Sequence, residues 1–213
     1  MRSAVIQVIV LTLVCIISSL ALALVNNLTE ERIVEQKRLA ESRAVKAALL
    51  QGDMRCDNEP SEDSINIPGW KDENGNPKKI FLGKLGGRIV GVAFTSMGEG
   101  YGGFIKIMMG VDRDGKLTGI EILEHLETPG LGANIDKPSF KAQFGGKYLA
   151  GSPENKLEVV KGREAKEHWQ IQALTGATIS PTGVANAVTE GLRMFGKYKE
   201  QILAEKMSKG GIE

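Results

Sequence analysis

Four hydroxyl-bearing side chains, Thr175, Thr178, Ser180 and Thr182, fall within eight positions of the segment LTGATISPTGV (174–184), with Gly176 and Ala177 between the first two. Ser180-Pro181 reads as a helix start, with Ser at the N-cap and Pro at the first helical position, where its missing N–H costs nothing. Thr182 and Gly183 would then offer free backbone N–H groups, and the helix dipole there favours an anion. Gly176 and Ala177 leave room for something bulky against the backbone. Two readings fit these residues: a phosphate site with hydroxyls poised beside it, or a capped helix after a tight turn. No Lys or Arg lies inside the motif to decide between them.

Such a motif needs a scaffold, and the composition supplies one. The 213 residues are 42% hydrophobic and 25% charged, with a net charge of +1. That is enough chain for one medium domain with a real core plus extra segments. Near-neutral charge without a basic run argues against a nucleic-acid partner. The cysteines, Cys15 and Cys56, form no CxxC, and the histidines, His125 and His168, stand apart. A structural zinc or an iron–sulfur cluster held by this chain alone is therefore not expected. DRDG (112–115) begins like a calcium loop, but Lys116 stands where another ligand is needed, so it reads as a hairpin turn. The 26 glycines cluster in LGKLGGRIVG, MGEGYGG, TPGLGA and FGGK, which points to turns and close backbone approach.

Ala4 to Val25 carries no charge. As a helix it would span about 33 Å, enough to cross a bilayer core. ALA at 21–23 resembles a signal-peptidase site, but the apolar run exceeds a signal peptide's core, which favours a retained anchor. The short lead and the large domain that follows suggest the N-terminus inside and the domain outside the cytoplasm. Residues 29–52 read as a stalk helix continuing from the anchor, with Thr29 as N-cap, Gly52 as stop and a thin apolar stripe of Ile33, Val34, Val45 and Leu49. Residues 53–77, with three prolines and many Asp and Asn, read as a loop-rich connection.

Strand patterns follow at KIFLGKL, GRIVGVAFTSM, FIKIMMGV and LTGIEILEHL, separated by turn residues. DKPSFKAQFGG predicts a short helix capped by Asp136 and stopped by Gly145. LEVV and HWQIQAL predict further strands, and a last helix should run from about Pro181 to Met207. The expected fold class is α+β: a largely antiparallel sheet of hairpins with flanking helices, behind one transmembrane helix. The expected division is an anchor at 1–26, a stalk and connection at 27–77, and a binding domain at 78–213.

TGATIS resembles the [S/T]-G-A-T-x-[S/T] signature of the FMN-binding domain in the G subunit of the Rnf electron-transport complex. The C subunit of the sodium-translocating NADH:quinone reductase shares that signature. GYGGFIKIMMGVDRDGKLTGIEILEHLETPGLGANI (100–135) is similar to the family's central hairpin and its H-x-E-T-P-G-L-G loop. Gly100, Tyr101, Gly103, His125, Glu127, Thr128, Pro129, Gly130, Leu131 and Gly132 fall where the pattern expects them. The likeness runs over nearly the whole chain, and its size favours the Rnf protein. The departure is Thr175, where many members carry Ser.

The resemblance implies FMN joined covalently to Thr178 through a phosphoester and installed by a flavin transferase that uses FAD and a divalent metal. It implies a cofactor site of Thr178, Thr175, Gly176, Ala177, Ser180, His125, Glu127, Thr128, Gly130, Leu131 and Gly132. Each also has a plainer reading: Ser180 as cap, His125 as a structural residue, Glu127 and Thr128 as turn stabilisers beside Pro129, Gly130 and Gly132 as an ordinary glycine loop. Tyr101 and Phe104 either touch the flavin ring or belong to the core, and Met97, Met108 and Met109 read as packing. The implied role is an electron relay within a membrane complex that couples ferredoxin and NAD to Na⁺ or H⁺ translocation. Its partners would be other membrane subunits. No GxGxxG leads from a strand into a helix, so a self-contained flavin reductase is the weakest alternative, behind a non-redox membrane-tethered assembly module.

Overall fold

The computed structural model describes residues 2–50 and 54–204. Two compact units divide it, Met1–Ala40 and Glu41–Glu213. Helix α1 (Arg2–Leu49) begins in the first. Its side chains from 5 to 40 are exposed, and the helix is long and apolar enough to cross a membrane. Thr29 is not a cap. It lies inside the continuous helix, where its hydroxyl donates back to the Val25 carbonyl (2.9 Å). The expected stop at Gly52 lies outside the described residues.

The second unit is built on a five-stranded antiparallel meander: β1 (Ser64–Lys71), β2 (Pro77–Leu85), β3 (Arg88–Glu99), β4 (Phe104–Asp112) and β5 (Leu117–Glu124). The four hairpin strands expected from the sequence are β2–β5. β1 corrects the loop-rich reading of 53–77. It pairs with β2 through Ser64–Ile67, slips register past Pro68-Gly69, and buries Ile67 and Trp70. The DRDG turn holds as expected: the Asp112 carboxylate accepts the N–H groups of Asp114 (2.8 Å) and Lys116 (2.9 Å).

Side chains alternate across this sheet. Phe81, Ala93 and Met108 face the last turns of α1, where Ala44, Val45, Ala48 and Leu49 are buried. Ile80, Leu82, Val92, Phe94, Ile107 and Met109 face the other way. There they meet α3 (Ile179–Ala204) and a segment of 3-10 turns around the one-turn helix α2 (Pro138–Lys141). α2 starts without a side-chain cap, so Asp136 is not the predicted cap. β6 (Glu158–Val160) and β7 (Gln170–Gln172) pair in parallel and lead into α3. The expected extension of that helix to Met207 runs beyond the described residues.

α3 is fixed to the sheet at closely spaced points. Ser96 on β3 donates to the Ala187 carbonyl (2.7 Å), and Thr189 accepts the Leu157 N–H (3.0 Å). A Cβ on Gly98 would overlap the Gly183 carbonyl, and one on Gly183 would overlap that of Glu99. Backbone touches backbone at this point. Gly98→Ala should therefore cost about 1–3 kcal/mol or more. Gly196, on the exposed side of α3 with open space around it, should gain about 0.5–1 kcal/mol as Ala. Urea unfolding of both variants in detergent checks the opposite signs.

Lys78 of β2 is buried in a groove of about 320 Å³ with Trp70, Glu190 and Met194, and its ammonium is 4.0 Å from Glu73. Loss of hydration depresses its pKa below the ordinary lysine value, against the attraction of Glu73 and Asp72. The unfolded chain thus holds this proton more tightly. Stability from Lys78 is full above the ordinary value and is lost as pH falls through the folded-state value. Lys78→Met removes that dependence, so its stability relative to wild type should be greater at pH 8 than near pH 10.5. Unfolding midpoints at the two pH values test the sign.

Candidate functional site

The segment after β7 turns sharply. Leu174 and Ala177 form an isolated antiparallel bridge, the Ala177 N–H donates to Leu174 (3.2 Å), and Gly176 sits at φ 78°. An L side chain would strain that position. The Thr178 carbonyl then accepts both the backbone N–H (3.1 Å) and the hydroxyl (2.9 Å) of Thr182. Thr178 is therefore the residue on which α3 begins. This corrects the predicted start: Ser180 and Pro181 lie inside the first turn, and the Thr182 N–H is already engaged. The amides without intrahelical partners at this end are those of Ile179 and Ser180. The Thr178 side chain is half-buried and Ile179 is exposed.

The His125–Gly132 loop starts just past β5. Thr128-Pro129-Gly130-Leu131 forms a type II turn: the Leu131 N–H donates to the Thr128 carbonyl (3.1 Å), and Gly130 at φ 79° takes the position that requires positive φ. The Asn134 amide fastens the Gly130 carbonyl (2.9 Å). His125 Nδ1 accepts the Glu127 N–H (3.0 Å), so the ring proton is on Nε2, which lies 2.9 Å from Asp136 Oδ2. Asp136 thus holds His125 rather than a helix end.

Glu127 joins the loops. Its carboxylate is buried, with Oε1 accepting the Gly102 N–H (3.0 Å) and Oε2 the Ser180 hydroxyl. Side chains on Gly100 or Gly132 would collide with this carboxylate, and one on Gly102 would collide with the Leu126 carbonyl. Gly132 makes space for Glu127 and Ser180 inside the protein, whereas exposed Gly130 shapes the turn.

Around this buried knot lies an apolar collar. Among the described residues, the exposed large apolar side chains beyond α1 are Leu50, Leu85, Tyr101, Phe104, Leu126, Leu131 and Ile179. The last five belong to the three segments that Glu127 joins. Tyr101 and Phe104 flank the β3–β4 hairpin tip, Leu126 Cδ1 reaches the Gly103 position, and Leu131 Cδ2 reaches the Gly176 position, each 3.6 Å from where a Cβ would stand. Exposed apolar side chains gathered on three joined segments suit a binding surface. Of the sequence candidates, Glu127, Gly132 and Ser180 form the buried knot with half-buried His125 at its edge, while Leu131 reaches Gly176 at the surface and Thr178 follows two residues on. Exposed Thr128 contributes its carbonyl to the turn. Thr175 stands apart from the knot, lining a separate groove of about 580 Å³ with Ser139, Gln143 and Lys147. Sequence reasoning missed Leu126 and Ile179, exposed apolar residues with no local signature, and the role of Gly102.

Residues 100–193 match the FMN-binding domain family, and residues 1–47 match the RnfG N-terminal region. The chain is 30% identical over 196 residues to the G subunit of the ion-translocating oxidoreductase complex of Cereibacter sphaeroides, covering 91% of this chain and 85% of that protein. It is 33% identical over 192 residues to the corresponding G subunit of Pseudomonas aeruginosa (88% and 86%), and 32% over 207 residues to that of Shewanella loihica (95% and 94%). The chain belongs to this G-subunit family. In fold it is similar to Shewanella oneidensis NqrC (TM-score 0.64, 21% identity, 80% of this chain and 99% of that one). It is also similar to the C subunit of the Na(+)-translocating NADH-quinone reductase of Parabacteroides distasonis (TM-score 0.54, 20% identity, 79% and 96%). The FMN-binding match takes in both the Glu127 loop and the start of α3.

Gly130 and Gly132 lie on the same loop but should respond differently to alanine. Gly132→Ala drives a methyl between Glu127 and Ser180 and should destabilise by about 1–3 kcal/mol. Gly130→Ala meets open space and should cost only the left-handed backbone, about 1–2 kcal/mol. Amide exchange in the first turn of α3 should accelerate for Gly132→Ala and not for Gly130→Ala.

Proposed function

We propose that this chain is the FMN-bearing electron relay of a membrane complex that couples ferredoxin and NAD to ion translocation. α1 anchors it in the cytoplasmic membrane as a single pass, with the following domain on the extracytoplasmic side. FMN is joined to Thr178 by a phosphoester, placed there by a flavin transferase. The observation that carries this reading is the position of Thr178: immediately before α3, with its carbonyl accepting the first helical bond, half-buried and beside exposed apolar side chains. The family match and the names of the relatives support it.

The residues fit the group. The unpartnered Ile179 and Ser180 amides and the positive end of the α3 dipole suit a phosphate diester that no Lys or Arg of the motif neutralises. Tyr101, Leu131 and Ile179 offer apolar surface for a flat ring, and exposed Thr128 offers a hydroxyl at its margin. FMN, when bound, supplies one- and two-electron chemistry. Glu127, Gly132 and Ser180 act behind the surface, and His125 steadies Glu127. Covalent attachment suits an extracytoplasmic relay, because a dissociable cofactor would be lost. Electron donors and the coupling ion belong to other subunits. The same site would serve in a sodium-translocating NADH:quinone reductase, which the fold likeness to NqrC favours; the G-subunit relatives favour the first reading.

Intact mass decides the attachment. Full-length chain coexpressed with a flavin transferase should gain one FMN less one water, and Thr178→Ala should gain nothing. Wild type without the added mass, with a transferase proven on another carrier, overturns the covalent reading. An unchanged gain in Thr178→Ala moves the attachment elsewhere.

A further inference from the structure

We infer that Glu127 is a positioning residue that sets Thr178 for flavin loading without touching the flavin; this rests on the Thr178 attachment proposed above. Its carboxylate has two oxygens and two internal donors. Oε1 takes the Gly102 N–H (3.0 Å) at the hairpin tip, and Oε2 takes the Ser180 hydroxyl two residues beyond Thr178. The side chain is buried, and glycines at 100 and 132 wall it on two sides. A residue so enclosed has little surface left for a ligand. What it can do is hold the first turn of α3 against the β3–β4 hairpin, which fixes where the Thr178 hydroxyl stands relative to Tyr101 and Leu131.

The loading reaction makes this placement matter. The Thr178 oxygen forms a bond to the FMN phosphorus of FAD, the pyrophosphate bond breaks, AMP leaves and the hydroxyl proton is released. That chemistry belongs to the transferase, which must find the hydroxyl in one arrangement. Misplacement of a reacting group by about 1 Å can cost on the order of a hundredfold in rate.

Bridging and charge make opposite demands on substitutions. Gln keeps the length: its carbonyl can accept from Gly102 while its amide donates to the Ser180 oxygen, since a hydroxyl accepts as well as donates. Asp keeps the charge but is one methylene too short to span both donors. Ala removes both bonds. Rates of FMN gain by full-length chain in detergent, with purified transferase and FAD, separate the cases. Glu127→Ala and Glu127→Asp should load about tenfold to a hundredfold more slowly than wild type, and Glu127→Gln near the wild-type rate. Amide exchange at Gly102 and Thr182 should quicken in Ala and Asp but not in Gln, a readout independent of flavin. Leu192→Ala, in the core away from this site, supplies a destabilised control that should load normally. Ser180→Ala removes one bond only and should slow loading less than Glu127→Ala; it also serves should the latter fail to fold.

Glu127→Ala loading at the wild-type rate, or a slowing that Leu192→Ala reproduces at equal melting temperature, overturns the positioning role. Normal loading by Asp with slow loading by Gln also overturns it, in favour of a role for the charge. Failure of the wild type to load overturns the Thr178 attachment instead and is told apart by the wild-type mass alone.

Discussion

Nothing larger than hydrogen can stand between the end of β3 and the first turn of α3. Gly98 and Gly183 bring the two backbones into contact, and a side chain on either would overlap a carbonyl of the other element. This contact determines where α3 starts over the sheet, and hence where Thr178 emerges. The glycines at 100, 102 and 132 extend the same constraint around Glu127. Small residues here create a tight seam rather than a flexible one, because each vacancy is filled by a neighbouring backbone or by the Glu127 carboxylate.

A buried carboxylate is costly unless its oxygens are satisfied. Glu127 meets that condition with donors from two segments distant in sequence, while its own N–H is received by His125 and His125 in turn meets Asp136. Removing one partner strands the others, so the cluster behaves as a unit. An apolar version could be equally stable. It would lack the directional bonds that hold a hairpin tip, a turn and a helix start in one arrangement.

The hairpins β2–β5 were legible because period-two alternation and turn residues report directly on local geometry. β1 was not. Pro68-Gly69 interrupts its pattern, and only pairing with β2 and the burial of Ile67 and Trp70 make it a strand. The capping residues failed together for one reason. Thr29, Asp136 and Ser180 are good caps by local chemistry, yet each has another partner: Val25 within a continuous helix, His125 eleven residues back, and Glu127 across the fold. A sequence reading sees the cap and not the competitor. The candidate chemistry-bearing residues came from resemblance, but their division into a buried knot and an exposed collar required coordinates.

That division bears on how a relay works. On the reading proposed above, electrons pass to and from a partner, so a flavin seated on the collar would lie at the surface, where exposed apolar side chains such as Tyr101 and Leu131 have little packing to hold them. Loops in such positions ordinarily move. Here the restraint comes from below: the Pro129-Gly130 turn fixes Leu131, the hairpin tip is bonded through Gly102, and α3 enters through Ser180, all on one carboxylate or beside it. The polar atoms are spent inside the protein and the apolar ones are left outside, an inversion of the usual surface. It lets an exposed site be rigid without being covered, which is what the proposed fixed cofactor, serving a docking partner, would require.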